Sequence, residues 1–575
     1  MSGIDAVEAS RPASSRYSSE HPHYRWVALS NTTLGVLMAT INSSIVIISL
    51  PAIFRGIGLD PLAPGNVSYL LWMLMGFLLV SAVLVVSLGR LGDLYGRVRV
   101  YRLGFVVFTA ASVILALDPL SGAGGALWLI LWRVAQGVGG AMLFANSTAI
   151  LTDAFPSDQR GMALGINQVA AIAGSFLGLI IGGVLAQWHW RAIFWVSVPV
   201  GVLGTIWSYR SLHEVGGGPR GRLDILGNVT FAAGLGAGLA AITYGIQPYG
   251  GHSMGWTNPW VLLGLIGGGL LLVVFCVVET RVAEPMFQLG LFRIRAFSAG
   301  NLAGLLASIG RGGLQFMLII WLQGIWLPLH GYAFASTPLW AGIYLLPLTI
   351  GFLVAGPVSG YLSDRFGARA FATGGLTVVA ASFIGLMLLH TDFSYWQFAA
   401  LIALFGIGSG LFSAPNTTAI MNSVPARHRG AAAGMQGTFF NAGTCLSIGI
   451  FFSLMIAGLA ARLPTTLTAG LERQGVSHSV AQQVGNLPPV GSLFAAFLGF
   501  NPLQSLLGPT GELDRVPPAN AARLTGHEFF PRLISGPFHH GLVVVFSAAA
   551  VMTLVGALAS LFRGSRYINN ESPTS

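Results

Sequence analysis

The chain has 575 residues, 54% of them hydrophobic, with 29 basic and 19 acidic side chains, a net charge of +10 and a mean hydropathy of +0.72. A water-soluble chain carries about a quarter charged residues; this one carries 8%, which excludes an aqueous enzyme, a nucleic-acid-binding protein and a disordered chain. At roughly 20 apolar residues per crossing, the composition is that of a polytopic membrane protein.

Residues 1–25 are polar and lack the apolar centre of a cleavable signal peptide, so a disordered cytoplasmic tail is expected there. Apolar windows then predict fourteen spans, beginning near Trp26, Val67, Arg102, Ala126, Met162, Ala192, Gly227, Pro259, Phe297, Leu339, Phe371, Gln397, Ala431 and Gly541. The expected organisation is a six-helix bundle over 26–209, a linker with a two-helix insert over 210–296, a second six-helix bundle over 297–562, and a tail over 563–575. The second bundle includes a long outer segment, 463–540. Its apolar stretch Val490 to Leu507 is too interrupted to span and reads as a membrane-surface helix, a lid over the outer vestibule, or a solvated loop.

Every basic residue is arginine; the sequence contains no lysine. A Walker-type nucleotide site and Schiff-base chemistry both need one. Cys276 and Cys445 sit within apolar runs and read as buried packing residues without a disulfide framework. No cofactor and no metal site is expected. With both termini inside, inner loops and tails hold 20 arginines, outer loops 7, and spans two, Arg133 and Arg311. Positive charge favours the cytoplasmic side, which places both termini there.

The chain repeats itself. Gly89-Arg-Leu-Gly-Asp93-Leu-Tyr-Gly96 recurs as Gly360-Tyr-Leu-Ser-Asp364-Arg-Phe-Gly367, and Asn146-Ser-Thr-Ala-Ile150 as Asn416-Thr-Thr-Ala-Ile420, at offsets of 271 and 270. Arg160-Gly161 recurs as Arg429-Gly430, offset 269. Copies on one membrane side imply a parallel repeat about the membrane normal.

These residues carry a resemblance. Gly89-x-Leu91-x-Asp93-x-x-Gly96-Arg97-x-Arg99 is similar to the loop signature of the major facilitator superfamily. Arg133-x-x-Gln136-Gly137-x-Gly139, Gly174 to Gly183, and Trp190-Arg191-x-x-Phe194 resemble its fourteen-helix drug:proton antiporter branch. The resemblance implies an all-α major facilitator fold, two six-helix bundles related by a parallel pseudo-repeat plus two extra central helices. It also implies a multidrug efflux transporter, not an enzyme. Three positions depart from the family pattern: Asn42 stands where Asp is usual, Gly178-Leu179 where Gly-Pro is usual, and Ser197 where Asn is usual. The first touches proton coupling, the second the antiporter assignment itself, and the third reads as having little effect.

By resemblance, Asp93 would cap a helix near Gly430, Asp364 another near Gly161, and Arg97 would reach Asp153, closing an inner gate with Gly89, Gly96, Gly360 and Gly367. The glycines suit tight turns and close helix approach; the alternative is that the charges anchor loops among headgroups.

An arginine inside a bilayer costs at least about 2.5–3.5 kcal/mol and faces protein or a water-filled path. At 1.5 Å per residue, Asn42 and Arg133 lie about 10–14 Å below the outer surface, level with one another. Arg133 stays charged and Asn42 cannot titrate. Substrate-binding or coupling roles are expected for Asn42, Trp72, Phe77, Arg133, Gln136, Arg311, Gln315, Gln323 and Asn441, although helix packing is an equal use for any single one. His330 is a weak candidate for a proton-carrying group, against the ordinary use of a solvated loop histidine.

The expected function is efflux of hydrophobic or amphiphilic compounds, with anionic ones favoured by the embedded arginines. Protons, membrane lipids and the substrate are the expected partners, nucleic acid is not, and the chain is expected to act as a monomer. Two alternatives stay open: an uncoupled facilitator or lipid transporter, because of Asn42, and a membrane transferase using Asp514, His539 and His540.

Overall fold

The computed structural model describes residues 23–60, 65–156, 159–214, 224–282, 285, 287–425, 428–499 and 501–564. The expected tails, 1–25 and 563–575, lie almost wholly outside the described residues. In lipid every backbone polar group must be satisfied within the chain, so apolar runs of this length become helices.

Among the described residues, fourteen helices are long and apolar enough to cross a membrane. The first six are α1 (Tyr24–Ile57), α2 (Asn66–Tyr95), α3 (Arg97–Ala116), α4 (Gly122–Ala154), α5 (Met162–Trp188) and α6 (Ala192–Ser211). The insert follows as α7 (Ile225–Gly245) and α8 (Pro259–Glu279). Then come α9 (Arg295–Leu329), α10 (Phe334–Ser363), α11 (Ala368–Leu388), α12 (Tyr395–Asn422) and α13 (Ala431–Ala460). Six short helices, α14 (Leu463–Glu472), α15 (His478–Gly485), α16 (Pro489–Leu498), α17 (Pro502–Leu507), α18 (Glu512–Arg515) and α19 (Pro518–Thr525), precede the last span, α20 (Phe529–Leu561).

The two halves pack alike. In the first, α1 lies along α5, and both α2 and α3 lie along α4; in the second, α9 lies along α13, and both α10 and α11 along α12. Gly96 and Gly367 end equivalent helices with φ of 106° and 91°, a conformation that a side chain would strain. Gly89 faces Ala145 as Gly360 faces Ala414.

Helices α7 and α8 pack on each other through Gly234 and Gly268, whose missing side chains let backbones meet. Helix α7 leans on α2 and α13, whereas α8 presents Leu263, Ile266, Leu270 and Val273 outward. Cys276, on α8, is exposed, contrary to the burial expected from its apolar surroundings; an outer helix is apolar because lipid touches it. Cys445 is buried.

The last span begins at Phe529, twelve residues before the expected Gly541. Prolines, an arginine and paired histidines make that stretch read as loop. The helix nevertheless continues through Pro537, because Phe530, Ile534 and Phe538 recur at four-residue spacing and are fully buried.

The outer segment is neither a membrane-surface helix nor a solvated loop. Helix α16 is buried on all sides: Leu493, Phe494, Ala495 and Phe497 have no exposure. It touches α1 and α2 of the first half, and α13 and the π-turn Leu322–Trp326 of the second. Phe494 stacks on Phe452 of α13 at 5.0 Å, and Gly324 lets the backbone of Phe497 approach. The segment thus caps the crevice between the halves on the side opposite the termini.

One carboxylate pins this cap. Glu512 accepts from the Ser477 backbone N–H at 3.1 Å and hydroxyl at 2.9 Å, and from Arg515 at 3.2 Å. These bonds, chiefly those from Ser477, hold its pKa below the ordinary glutamate value. A lowered folded-state pKa gives stability present above the unfolded value and lost as pH falls through the folded one. Limited proteolysis of the cap should therefore be unchanged near neutrality and accelerate only below the ordinary glutamate range. In Glu512→Gln the cap should be cut faster already at neutral pH, with that acid step gone.

Candidate functional site

Three contiguous cavities run along the interface of the halves. The largest, about 320 Å³, extends from the α2–α3 turn at Gly89, Asp93 and Arg97 to Phe440 and Asn441 on α13. A second, about 60 Å³, is lined by Ser44, Phe77, Ser175, Arg311, Gln315 and Asn441 among others. A third of similar size, about 60 Å³, lies mainly in the second half, where Asn301, Asn416 and Gln436 line it with five phenylalanines. Arg311 and Phe440 belong to the walls of the last two. Toward the far side the crevice closes: Gly183 meets the backbone of Pro338, Gly342 that of Leu179, and α16 covers the rest.

The two span arginines have different surroundings. Arg133 is 1% exposed and lines none of these cavities. Its Nη1 donates to Asn42 Oδ1 at 2.6 Å and to Gln136 Oε1 at 2.9 Å, with the Phe77 ring 4.7 Å away. Asn42 Nδ2 donates to Ser197 Oγ at 3.1 Å, and Gln136 Nε2 to Ser112 Oγ at 2.8 Å. One network thus joins α1, α3, α4 and α6, beneath a ring from α2. Two of the chain's three departures from the family pattern, Asn42 and Ser197, touch each other.

Arg311 faces the cavities. Its Nη1 lies 3.3 Å from Ser175 Oγ on α5, and its Cζ 5.0 Å from the Phe440 ring. Gln315, one turn on, donates to the Ser175 carbonyl at 3.2 Å, and Gln323 to the Ile48 carbonyl at 3.1 Å. Polar side chains of α9 therefore bridge to the first half at three depths. Neither Arg133 nor Arg311 has an ion pair among the described residues.

At the termini side, Arg97 bonds Asp153 at 2.5 Å and Asp93 at 2.9 Å, with Arg90 3.8 Å from Asp93. The side chain of Asp364 and the surroundings of Gly161 and Gly430 lie outside the described residues. Asn441 lines two of the cavities. Trp72 instead packs on Tyr244 of the insert, ring centroids 5.9 Å apart. His330 stacks on Trp326 at 3.9 Å and sits 3.3 Å from Asp392, above the crevice. His539 donates to, or is oriented by, the Leu389 carbonyl at 2.6 Å.

Sequence reasoning missed Ser175, Phe440, Asn416 and Arg563. Gln436, Phe440 and Thr444 recur every four residues on α13, a stripe that could have been read. Arg563, assigned to a tail, is 5% exposed and donates to Asn416.

The Major Facilitator Superfamily profile matches residues 32–224 and 225–448. The chain belongs to this superfamily. It is a multi-pass membrane transporter, not an enzyme. It is 27% identical over 546 residues to the tetracenomycin C resistance and export protein of Streptomyces glaucescens, covering 93% of this chain and 91% of that one. It is 30% identical to the methyl viologen resistance protein SmvA of Salmonella typhimurium, covering 81% and 90%. Among solved structures, a bacterial homologue of the human lysosomal transporter Spinster shares the fold, with a TM-score of 0.54, 16% identity, and 95% and 99% coverage.

If Asn42 is the main acceptor for Arg133, removing it should leave a buried guanidinium short of a partner. Asn42→Ala is expected to destabilise the protein by about 1.5–3 kcal/mol, the range for a hydrogen bond to a charged group. Asn42→Asp should retain or raise the melting temperature, since a carboxylate can replace the amide oxygen and Ser197 can turn its hydroxyl to donate. Thermal unfolding in detergent checks this; equal losses in both variants would contradict the network.

Proposed function

We propose that this protein exports amphiphilic compounds bearing a negative or zwitterionic group across the bacterial cytoplasmic membrane. Both termini are cytoplasmic in this reading, and the two halves alternate in exposing the cavity. The observation that carries it is Arg311, a permanent cation on the cavity wall without a carboxylate neighbour among the described residues. Phe440 and the other rings supply apolar walls, and a few polar groups orient the ligand, the usual make-up of a small-molecule site. The names of the relatives support export of toxic compounds. One chain holds the whole pathway, so the working unit proposed is a monomer.

Coupling to the proton gradient is part of the proposal. A second reading, an uncoupled facilitator or lipid transporter, rests on its own observation. The amide at Asn42 and the guanidinium at Arg133 form a contact that has no proton to exchange.

Inverted vesicles test both. Uptake of a dansyl-labelled fatty acid should exceed that of ethidium and should fall on the order of tenfold in Arg311→Gln, the loss of one charge-assisted contact. Arg311→Lys should keep most of it. A preference for ethidium, with anion uptake unchanged in Arg311→Gln, would overturn the reading. Dissipating the proton gradient should abolish accumulation; equilibration without any gradient would favour the uncoupled reading.

A further inference from the structure

The cap carries a second concave surface, unconnected to the central cavities. A cleft of about 660 Å³ lies between α14 and the α19–α20 junction. Its floor is apolar: Gly470 lets Leu533 pack directly against α14, and Phe529 lies beside it. Its walls are cationic. Arg473 ends α14, Arg523 lies on α19, and Arg532 lies in the first turn of α20, so three separate helices turn a guanidinium toward one cleft. His527 adds a fourth nitrogen base.

Only one acid, Glu528, lines the cleft, and it pairs with Arg532 at 3.4 Å. Arg473 and Arg523 are exposed and form no ion pair among the described residues. Three of the seven outer arginines meet here. Like charges gathered in a concave surface repel one another unless an anion sits among them. Guanidinium groups match carboxylate and phosphate oxygens in geometry, and an apolar floor accepts the body that carries such a group.

We infer that this cleft is a binding site for an acidic amphiphile, a carboxylate or phosphate on an apolar body. That chemistry has two sources at this surface: a free acid in the outer compartment and the headgroup of an anionic lipid. The site does not depend on the reading of Arg311, and its ligand contacts are exposed to water, so salt screens them.

The test uses the purified full-length protein in nanodiscs of phosphatidylcholine, titrated with a dansyl-labelled fatty acid. Wild type, Arg473→Gln/Arg523→Gln, Arg473→Lys/Arg523→Lys and Arg311→Gln are compared at low and high salt. Wild type should show a salt-sensitive class of sites that weakens on the order of tenfold in the Gln double variant. The Lys double variant should retain it, which separates charge from damage to the fold. Arg311→Gln should leave this class intact, so failure of the central-cavity reading would be visible separately. Repeating the titration with phosphatidylglycerol in the disc distinguishes the sources: competition assigns the site to the lipid headgroup, and unchanged affinity assigns it to the free acid. Salt-sensitive binding equal in wild type and the Gln double variant would overturn the proposal, as would the absence of that class in wild type.

Discussion

A guanidinium held within a bilayer must find oxygen acceptors inside the protein, since lipid offers none. In the first half that requirement is met by the amide oxygens of Asn42 and Gln136 around Arg133. The side chains that supply those oxygens are themselves held, Asn42 by Ser197 and Gln136 by Ser112. Four helices are thereby fixed to one cation, and the chain's unusual residues at 42 and 197 become one feature. An amide in place of a carboxylate leaves the charge unneutralised but still solvated by fixed dipoles.

The second half solves a different problem with its arginine. Subtracting the repeat offset of about 270 sets Arg311 level with Ile41 and Asn42, so the halves carry their embedded cations on helices that are not equivalent. Arg311 is not enclosed by its own bundle; it reaches Ser175 of the other half and borders open space. In the proposed function, a residue that both borders the cavity and bridges the halves couples occupancy to the relation between them. A ligand can shift a conformational equilibrium only through a difference in contacts between states, and Arg311 is placed where such a difference arises.

Much of this was legible in the sequence. Apolar windows located the fourteen helices, and three matches at offsets of 269 to 271 revealed the two halves, because both signals are set by lipid and by chain geometry. The level of Asn42 and Arg133 followed from helical rise alone. What the sequence hid were contacts between helices distant in the chain: that Ser197 faces Asn42, that Ser175 faces Arg311, that Trp72 turns to the insert. Cys276 and Gly541 misled for one reason each. Apolarity is the same signal for burial and for lipid contact, and a helix can run through proline when a buried stripe holds it.

The cap makes the two faces of the molecule unequal. Separating α1 and α2 from α9 and α13 on the far side would bare Phe494, Phe497 and their neighbours to water, at about 25 cal/mol for each Å² of apolar surface. Among the described residues, no comparable helix lies across the mouth lined by Asp93 and Arg97. In this conformation the crevice is stoppered by α16 on one side and opens beside Asp93 and Arg97 on the other, so the two ends of one pathway differ in what must move to clear them.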